Sequence, residues 1–460
     1  MHTTRYDDDH HPLTTLATTR SRRGFLRDAS ALLGATAYGA GAQAQSSGGY
    51  KALVCIFMLG GNDGHNMVVP MSSAAYNAYK SIRGGLALPG NDATLVQVNT
   101  PTGVPYGFNS GLNAVAPLWG QGKLAVLANV GMLARPLTRA TYLDGSVKVP
   151  TNLFSHSDQI QQMQTGNAAG SGGTGWGGRT VDQLQAQNGT SRFPASISMA
   201  GNSLFCAGSV VQSASLIPGF DLTPDGMSAW PDSAAAAKKN ALNQILTMDS
   251  GLTLIQTANK VRQDAVSLNA LLSGAGAATV STTFPGTSLS QQLLQVAKII
   301  KLRPSTGMAR QVFFCSIDGF DTHSGQSWQQ MDLLRQVAEG MNAFYNATVE
   351  LGVASSVTTF TESDFGRTLQ PSGSGSDHGW GSHHLIMGGA VKGGNVYGSF
   401  PYPALGGPDD SGSRGALLPS TSLDQYGATL AKWFGVSATQ MATVFPNLGY
   451  FATPDLGFMA

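Results

Sequence analysis

The sequence predicts an α/β fold: a doubly wound, mostly parallel central sheet flanked by helices. Three observations carry that expectation. Five short, almost unbroken apolar runs recur along the chain: Ala52–Leu59, Leu124–Val130, Val312–Ile317, Val353–Phe360 and His384–Met387. Helical patterns lie between them. Polar loops rich in Gly, Asp and His adjoin the ends of the runs, where open α/β sheets place their sites.

Each run is rich in β-branched or aromatic residues and lacks the alternation of a half-exposed strand. That is how strands buried on both faces of a parallel sheet read. Helical spacing is expected over Tyr76–Arg83, Leu112–Trp119, Gln159–Gln164, Ala235–Met248, Gly251–Leu272, Gln291–Leu302 and Gln329–Leu351. Residues 215–305 hold no histidine and are helix-rich, so they are expected to form a helical insertion or cap. The Gly-rich stretches 170–178 and 372–376 are expected to be mobile loops beside the motifs.

Ahead of the first run, Ser21-Arg22-Arg23-Gly24-Phe25-Leu26-Arg27 forms a twin-arginine pattern. A short Ala- and Gly-rich apolar stretch follows, and then the small-x-small sequence Ala42-Gln43-Ala44. Residues 1–44 are therefore expected to be a signal peptide read by the twin-arginine translocase, and 45–460 a single domain in the periplasm or outside the cell. The apolar stretch is too short to span a bilayer core of roughly 30 Å. Export on this route raises the expectation of a metal loaded before translocation.

Only 12% of the residues are charged, and Lys+Arg and Asp+Glu nearly cancel, 27 against 26. No basic footprint for nucleic acid exists, and no steering field for a polyanion. The three cysteines, Cys55, Cys206 and Cys315, have no metal-site spacing, and Cys55 and Cys315 fall inside apolar runs, so buried thiols are expected. Of nine histidines, His2, His10 and His11 precede the cleavage point. The other six sit in polar motifs, as if kept for one site at the strand ends.

Five motifs could carry chemistry. Gly60-Gly61-Asn62-Asp63-Gly64 follows the first run and offers Asp63 as an oxygen ligand, although the same residues suit an ordinary turn. Phe154-Ser155-His156-Ser157-Asp158 opens a helix. Ser155 or Ser157 can cap it, and a hydroxyl there is either a cap alone or a cap and a nucleophile activated by a metal; the helix start suits an anion. Asp321-Thr322-His323 leaves the third run with one oxygen and one nitrogen donor on a short loop, a pattern of Zn, Mn or Fe sites. Asp364 and Arg367 follow the fourth run as a ligand and an oxyanion-neutralising group, or as a plain ion pair. Asp377-His378-Gly379-Trp380-Gly381-Ser382-His383-His384 is the densest donor cluster; His378 is the better ligand, and one of His383 and His384 can simply start a strand. No phosphate-binding loop, dinucleotide-binding glycine motif or Gly-x-Ser-x-Gly elbow accompanies them.

Taken together, Gly-Gly-Asn-Asp-Gly, Ser155-His156, Asp321-Thr322-His323, Ser363-Asp364-Phe365-Gly366-Arg367-Thr368 and Asp377-His378-Gly379 resemble the bacterial domain-of-unknown-function 1501 family. That family is similar to the alkaline phosphatase/sulfatase superfamily. The resemblance implies a central sheet with metal ligands on strand ends and a hydroxyl nucleophile at a helix start. On this chain it makes Asp63, Asp321, His323, Asp364 and His378 metal ligands and Ser155 the nucleophile, with Arg367 beside it. His156, Asp377 and His383 are further candidates. Three departures stand out: Phe365 follows Asp364 where the superfamily has a histidine, Asp321 and His323 are separated by one residue where the superfamily has three, and no Cys-x-Pro-x-Arg sulfatase signature occurs.

The function expected is that of an exported metal-dependent hydrolase of a phosphate or sulfate ester, using one or two divalent ions such as Zn, Mn, Ca or Fe, a pair lying roughly 3.5–4 Å apart. The alternatives are a non-catalytic periplasmic binding or assembly protein that keeps the fold and one metal, and a metal-dependent redox protein.

Overall fold

The structure is a computed structural model that describes residues 49–460 except 171, 219–229, 249–250 and 275–277. The twin-arginine pattern and the cleavage sequence lie outside the described residues. Contacts divide the chain into Met1–Gln45 and Ser46–Ala460, and everything below concerns the second unit.

Nine strands form the main sheet: β1 (Lys51–Met58), β2 (Leu124–Gly131), β3 (Ser196–Ser198), β4 (Ser213–Ser215), β5 (Arg310–Ile317), β6 (Val357–Ser363), β7 (Ser382–Gly388), β8 (Val396–Tyr397) and β9 (Thr421–Ser422). Their order is β8-β2-β7-β6-β1-β5-β3-β4, with β9 also paired to β2. All pairings are parallel except those of β7, which runs antiparallel to both β2 and β6. Ala52 to Met58 are all wholly buried, so the central strand is covered on both faces.

The helices that matter here are α1 (Ser73–Arg83), α2 (His156–Thr165), α3 (Trp176–Asp182), α4 (Asp232–Thr247), α5 (Thr253–Gly274), α6 (Ser288–Lys301), α7 (Gln326–Glu350) and α8 (Leu423–Phe434). Helix α8 starts on a reciprocal cap between Ser422 and Gln425, which satisfies two backbone N–H groups that a helix start leaves free. Helices α4 and α5 pack on each other. Helix α6, inside the range expected for that insertion, instead packs on β5 and α7 and buries Leu289, Leu293, Val296 and Ile300. Its apolar stripe belongs to the main core. Among the described residues no helix is long and apolar enough to cross a membrane.

Two differences from the sequence reading set up the site. The fourth strand starts at Val357 and runs to Ser363, because Ala354–Ser356 form a turn. Residues 367–378, read as separate loops, are one antiparallel hairpin, Arg367–Ser372 with Gly375–His378. Its register sets Arg367 opposite His378. The stretch 372–376 is the tight end of this hairpin, with Gly373 in the left-handed region at φ 64°.

The expectation that all six later histidines share one site is also corrected. His383 and His384 lie inside β7, where successive side chains point to opposite faces of the sheet. The His383 Nδ1 accepts the Asn129 N–H at 3.0 Å, and His384 stacks on Tyr426. His65 is buried with its Nε2 3.2 Å from the Gly415 carbonyl. Burial pushes His65 down to about 4, His384 down to about 3, and His383 well below the ordinary value. All three are neutral core residues. The three cysteines are free and buried, as expected.

One prediction follows from the sign of these shifts. Unfolded, His384 takes up a proton near pH 6.5; folded, it refuses one down to about 3. The unfolded state therefore binds more protons in that window. Stability falls on acidification by up to about 1.4 kcal/mol per pH unit from this group. In His384→Phe that loss is absent, so the variant gains on the parent as pH drops from about 7 to about 4. Urea unfolding across that window checks it, and parallel pH profiles would refute it.

Candidate metal centre

The parallel strands end on one edge of the sheet, and their following loops meet there. β1 delivers Gly60, β5 delivers Asp321 and His323, and β6 delivers Asp364. Because β7 is antiparallel, its first residues lie at the same edge, which brings in the preceding His378. His156 arrives as the first residue of α2.

The centre of the arrangement is one carboxylate oxygen. Asp321 Oδ1 lies 3.4 Å from His156 Nε2, 3.0 Å from His323 Nε2 and 3.4 Å from His378 Nε2. His323 Nε2 and His378 Nε2 are 2.9 Å apart. Arg367 Nη1 donates to the same Asp321 oxygen at 2.9 Å. Asp321 and His323 are nearly half exposed, whereas Asp364 and Arg367 are fully buried. The cluster is thus a half-open patch on a rigid base.

That base fixes two of the three rings. His156 Nδ1 faces Asp364 Oδ2 at 2.7 Å, and Asp364 also accepts the Gly60 N–H at 3.1 Å. His378 Nδ1 donates to the Phe154 carbonyl at 2.7 Å. Phe154 has φ 69°, a left-handed conformation that costs a bulky residue on the order of 1–3 kcal/mol. The Gln159 side chain holds it there by accepting the Phe154 N–H at 2.7 Å. Phe365 packs against both rings, with centroids 4.7 Å from His156 and 4.9 Å from His378.

Gly60 is the pivot. Its φ is 109°, and a Cβ there would collide with the backbone of Phe320 and Asp321. Only glycine lets β1 turn this sharply, so that its N–H reaches Asp364 and its carbonyl accepts Arg367 Nη1 at 3.0 Å.

Electrostatics follow from these contacts. The hydrogen bond to Asp364 raises His156 above the ordinary value, against desolvation. Desolvation pushes Asp321 up, but the hydrogen bond and charge of Arg367 outweigh it and hold the carboxyl low. Desolvation, then Arg367, lowers His323.

The expected residues therefore separate. Asp321, His323 and His378 come together, and His156 joins them. Asp364 orients His156, its carboxylate taken by the ring and by Gly60. Asp63 is drawn elsewhere: it is ion-paired with Arg83, both fully buried, caps the turn Gly64–Met67 through the Asn66 N–H, and meets Gln326. It belongs to neither of the donor groups found among the described residues, His156/Asp321/His378 and His323/Asp377/His378. Asp377 is held by Arg414 at 3.0 Å and by the His378 N–H at 2.9 Å. The Ser155 Oγ donates to Asp158 at 2.6 Å. Arg367 is engaged throughout, by Asp321, Gly60 and Ser376. It positions Asp321.

Arg83 and Gln326 carry no functional signal in the sequence. Arg83 donates to the carbonyls of Thr368 and Leu369 at 2.7 and 2.9 Å, and Ser376 Oγ donates to Gln326 at 2.5 Å. Nothing in their local sequence marks them, since Arg83 closes a helix and Gln326 opens one.

Residues 50–411 match a family described as protein of unknown function (DUF1501). The chain belongs to the DUF1501 family. A search of curated proteins gives no match. Among solved structures, the C-terminal periplasmic domain of EcEptC from Escherichia coli is 9% identical, with 90% of this chain and 87% of that one covered, at a TM-score of 0.37. A sulfatase from Pseudoalteromonas sp. is 10% identical over 84% and 68%, at 0.33. The lipoteichoic acid synthase LtaP from Listeria monocytogenes is 5% identical over 84% and 72%, at 0.31. These likenesses are too distant to set the activity of this DUF1501 protein.

Proposed function

We propose that this DUF1501 protein is an exported, metal-dependent hydrolase of a phosphate or sulfate ester. The observation that carries the reading is the convergence of three imidazole nitrogens on Asp321 Oδ1. His156 Nε2 is buried and has no hydrogen-bond partner, although it points into the cluster. An orphaned acceptor of this kind fits a cation. When bound, a divalent ion supplies an acidified water or hydroxyl and a clamp on an anionic oxygen.

The protein's own groups do the rest. Asp364 and the Phe154 carbonyl hold two rings with Nε2 facing inward. Arg367 keeps Asp321 ionised and in place. The half-exposed side of the cluster admits an ester, and the N–H groups at the start of α2 are placed for its anionic part. Ser155, one residue from the cluster, is the serine nucleophile of this reading, with water as the other choice.

The test is elemental analysis of protein purified without chelator, followed by a panel of phosphate and sulfate esters. A divalent ion is expected, with turnover that His378→Ala abolishes. A metal-free protein with full thermal stability would sink the proposal. Ser155→Ala assigns the nucleophile: lost turnover points to serine, retained turnover to water. In Asp364→Asn the carboxylate that orients His156 is neutralised. Cation affinity should drop about 10–100-fold, as is usual when such a partner is removed; isothermal titration with zinc measures it.

One observation favours a second reading. Among the described residues, no side-chain hydroxyl is hydrogen-bonded to Asp321, His156, His323 or His378. A protein that holds a cation to bind or assemble, without catalysis, has no need of one. Metal without turnover on any ester would select that reading.

A further inference from the structure

We propose that His156, Asp321, His323 and His378 are the inner ligands of a single zinc-type ion, with Asp63 and Asp364 outside its coordination shell. This rests on the metal-dependent reading above and adds the ligand set and the class of metal.

Two rings have a settled tautomer. Asp364 is an acceptor opposite His156 Nδ1, so that nitrogen carries the proton. The Phe154 carbonyl imposes the same on His378. In the neutral rings both Nε2 atoms are then lone-pair donors, and both face Asp321 Oδ1, which only accepts. Two lone-pair nitrogens within 3.4 Å of an oxygen that only accepts are repelled by it unless something positive sits among them. Arg367 supplies one donor, to Asp321, and none to the rings. Four of the six ligand–ligand spacings, 2.9 to 3.4 Å, bracket the roughly 3.3 Å edge of a tetrahedron with metal–ligand bonds of about 2.0–2.1 Å.

One ion follows from the tautomers. The two donor groups share His378, whose one free nitrogen can serve only one ion. The class follows from the donors: three imidazoles and one carboxylate suit zinc and its neighbours, whereas magnesium and calcium need oxygens. Asp63 stays outside because Arg83 and Gln326 hold it in the core. Asp364 stays outside because its ring contact is the one that turns His156 Nε2 inward. A histidine thus stands where a hydroxyl was expected at the start of α2.

The experiment uses the chain as exported, stripped of metal and titrated with cobalt. The expected result is one cobalt per chain with the intense visible absorption of a four-coordinate site, displaced by zinc but not by excess magnesium or calcium. His156→Asn should weaken cobalt binding by more than the roughly 10–100-fold that outer partners cost and change the spectrum; Asp364→Asn should weaken it less and leave its form. Urea unfolding of the stripped variants separates lost ligation from lost folding. If His156→Asn does not fold, His323→Asn takes its place with the same expected loss. Unchanged affinity and spectrum in the folded variant would overturn this ligand set while leaving the hydrolase reading intact. Competition by magnesium or calcium at parity would overturn the metal class. Absence of any bound cation would remove both this proposal and the metal-dependent reading, and an imidazolium–Asp321 pair would explain the cluster.

Discussion

Arg83→Met is expected to destabilise the protein by about 3–5 kcal/mol, the usual cost of stranding one partner of a buried ion pair. Arg83 and Asp63 are both fully buried. The guanidinium also donates to Asn66 Oδ1 at 3.0 Å and to the carbonyls of Thr368 and Leu369. Methionine fills much of the volume but leaves these acceptors unpaired and the Asp63 charge without its partner. Removing the second partner as well, in Arg83→Met with Asp63→Leu, should recover part of the loss, because the stranded charge is gone. Urea unfolding of the three proteins is the measurement. A single variant within about 1 kcal/mol of the parent would mean that Arg83 is not what ties α1 to Asp63 and to the 367–378 hairpin.

Asp321→Asn is expected to do the opposite: abolish cation uptake and turnover while leaving the fold almost untouched. The Asp321 side chain is nearly half exposed, so its pairing with Arg367 adds little stability. Asparagine keeps an oxygen for Arg367 Nη1, and the guanidinium retains Gly60 and Ser376. What disappears is the negative charge on which three imidazoles converge. Cation affinity should fall by more than the roughly 10–100-fold typical of an outer partner, with a melting temperature within a few degrees of the stripped parent. Calorimetric titration and thermal melts together decide it; tight cation binding by the variant would exclude Asp321 as the central ligand.

Much of the fold was legible from the runs themselves. A strand covered on both faces must be apolar at every position, so Leu53–Met58 and Val312–Ile317 could hardly be anything else. The Asp321-Thr322-His323 loop was legible too, because it sets an oxygen and a nitrogen donor one residue apart just past a buried strand. Pairing was harder. The short strands Ser196–Ser198 and Ser213–Ser215 carry almost no pattern; the first pairs with β5 and the second with the first, places that only register sets.

The site was only half legible. Ser155 and His156 are neighbours at a helix start, and the sequence alone leaves open whether the hydroxyl is a cap or also a nucleophile. The direction in which α2 enters brings its first residue, His156, to the sheet edge and leaves Ser155 hydrogen-bonded to Asp158. His383 and His378 look alike in a histidine-rich stretch, yet one lies in a buried strand and the other on a hairpin. Asp63 and Asp321 both follow strands, and only the arrival of Arg83 from another helix removes Asp63.

By itself, then, the sequence determined the layered α/β architecture, the family, and which strand ends are rich in donors, because burial and residue chemistry are local properties. Which donors meet was decided by tertiary structure alone. The antiparallel turn of β7, the left-handed Phe154 and the buried Arg83 act between segments far apart in the chain. Convergence within 3.4 Å is a property of their packing.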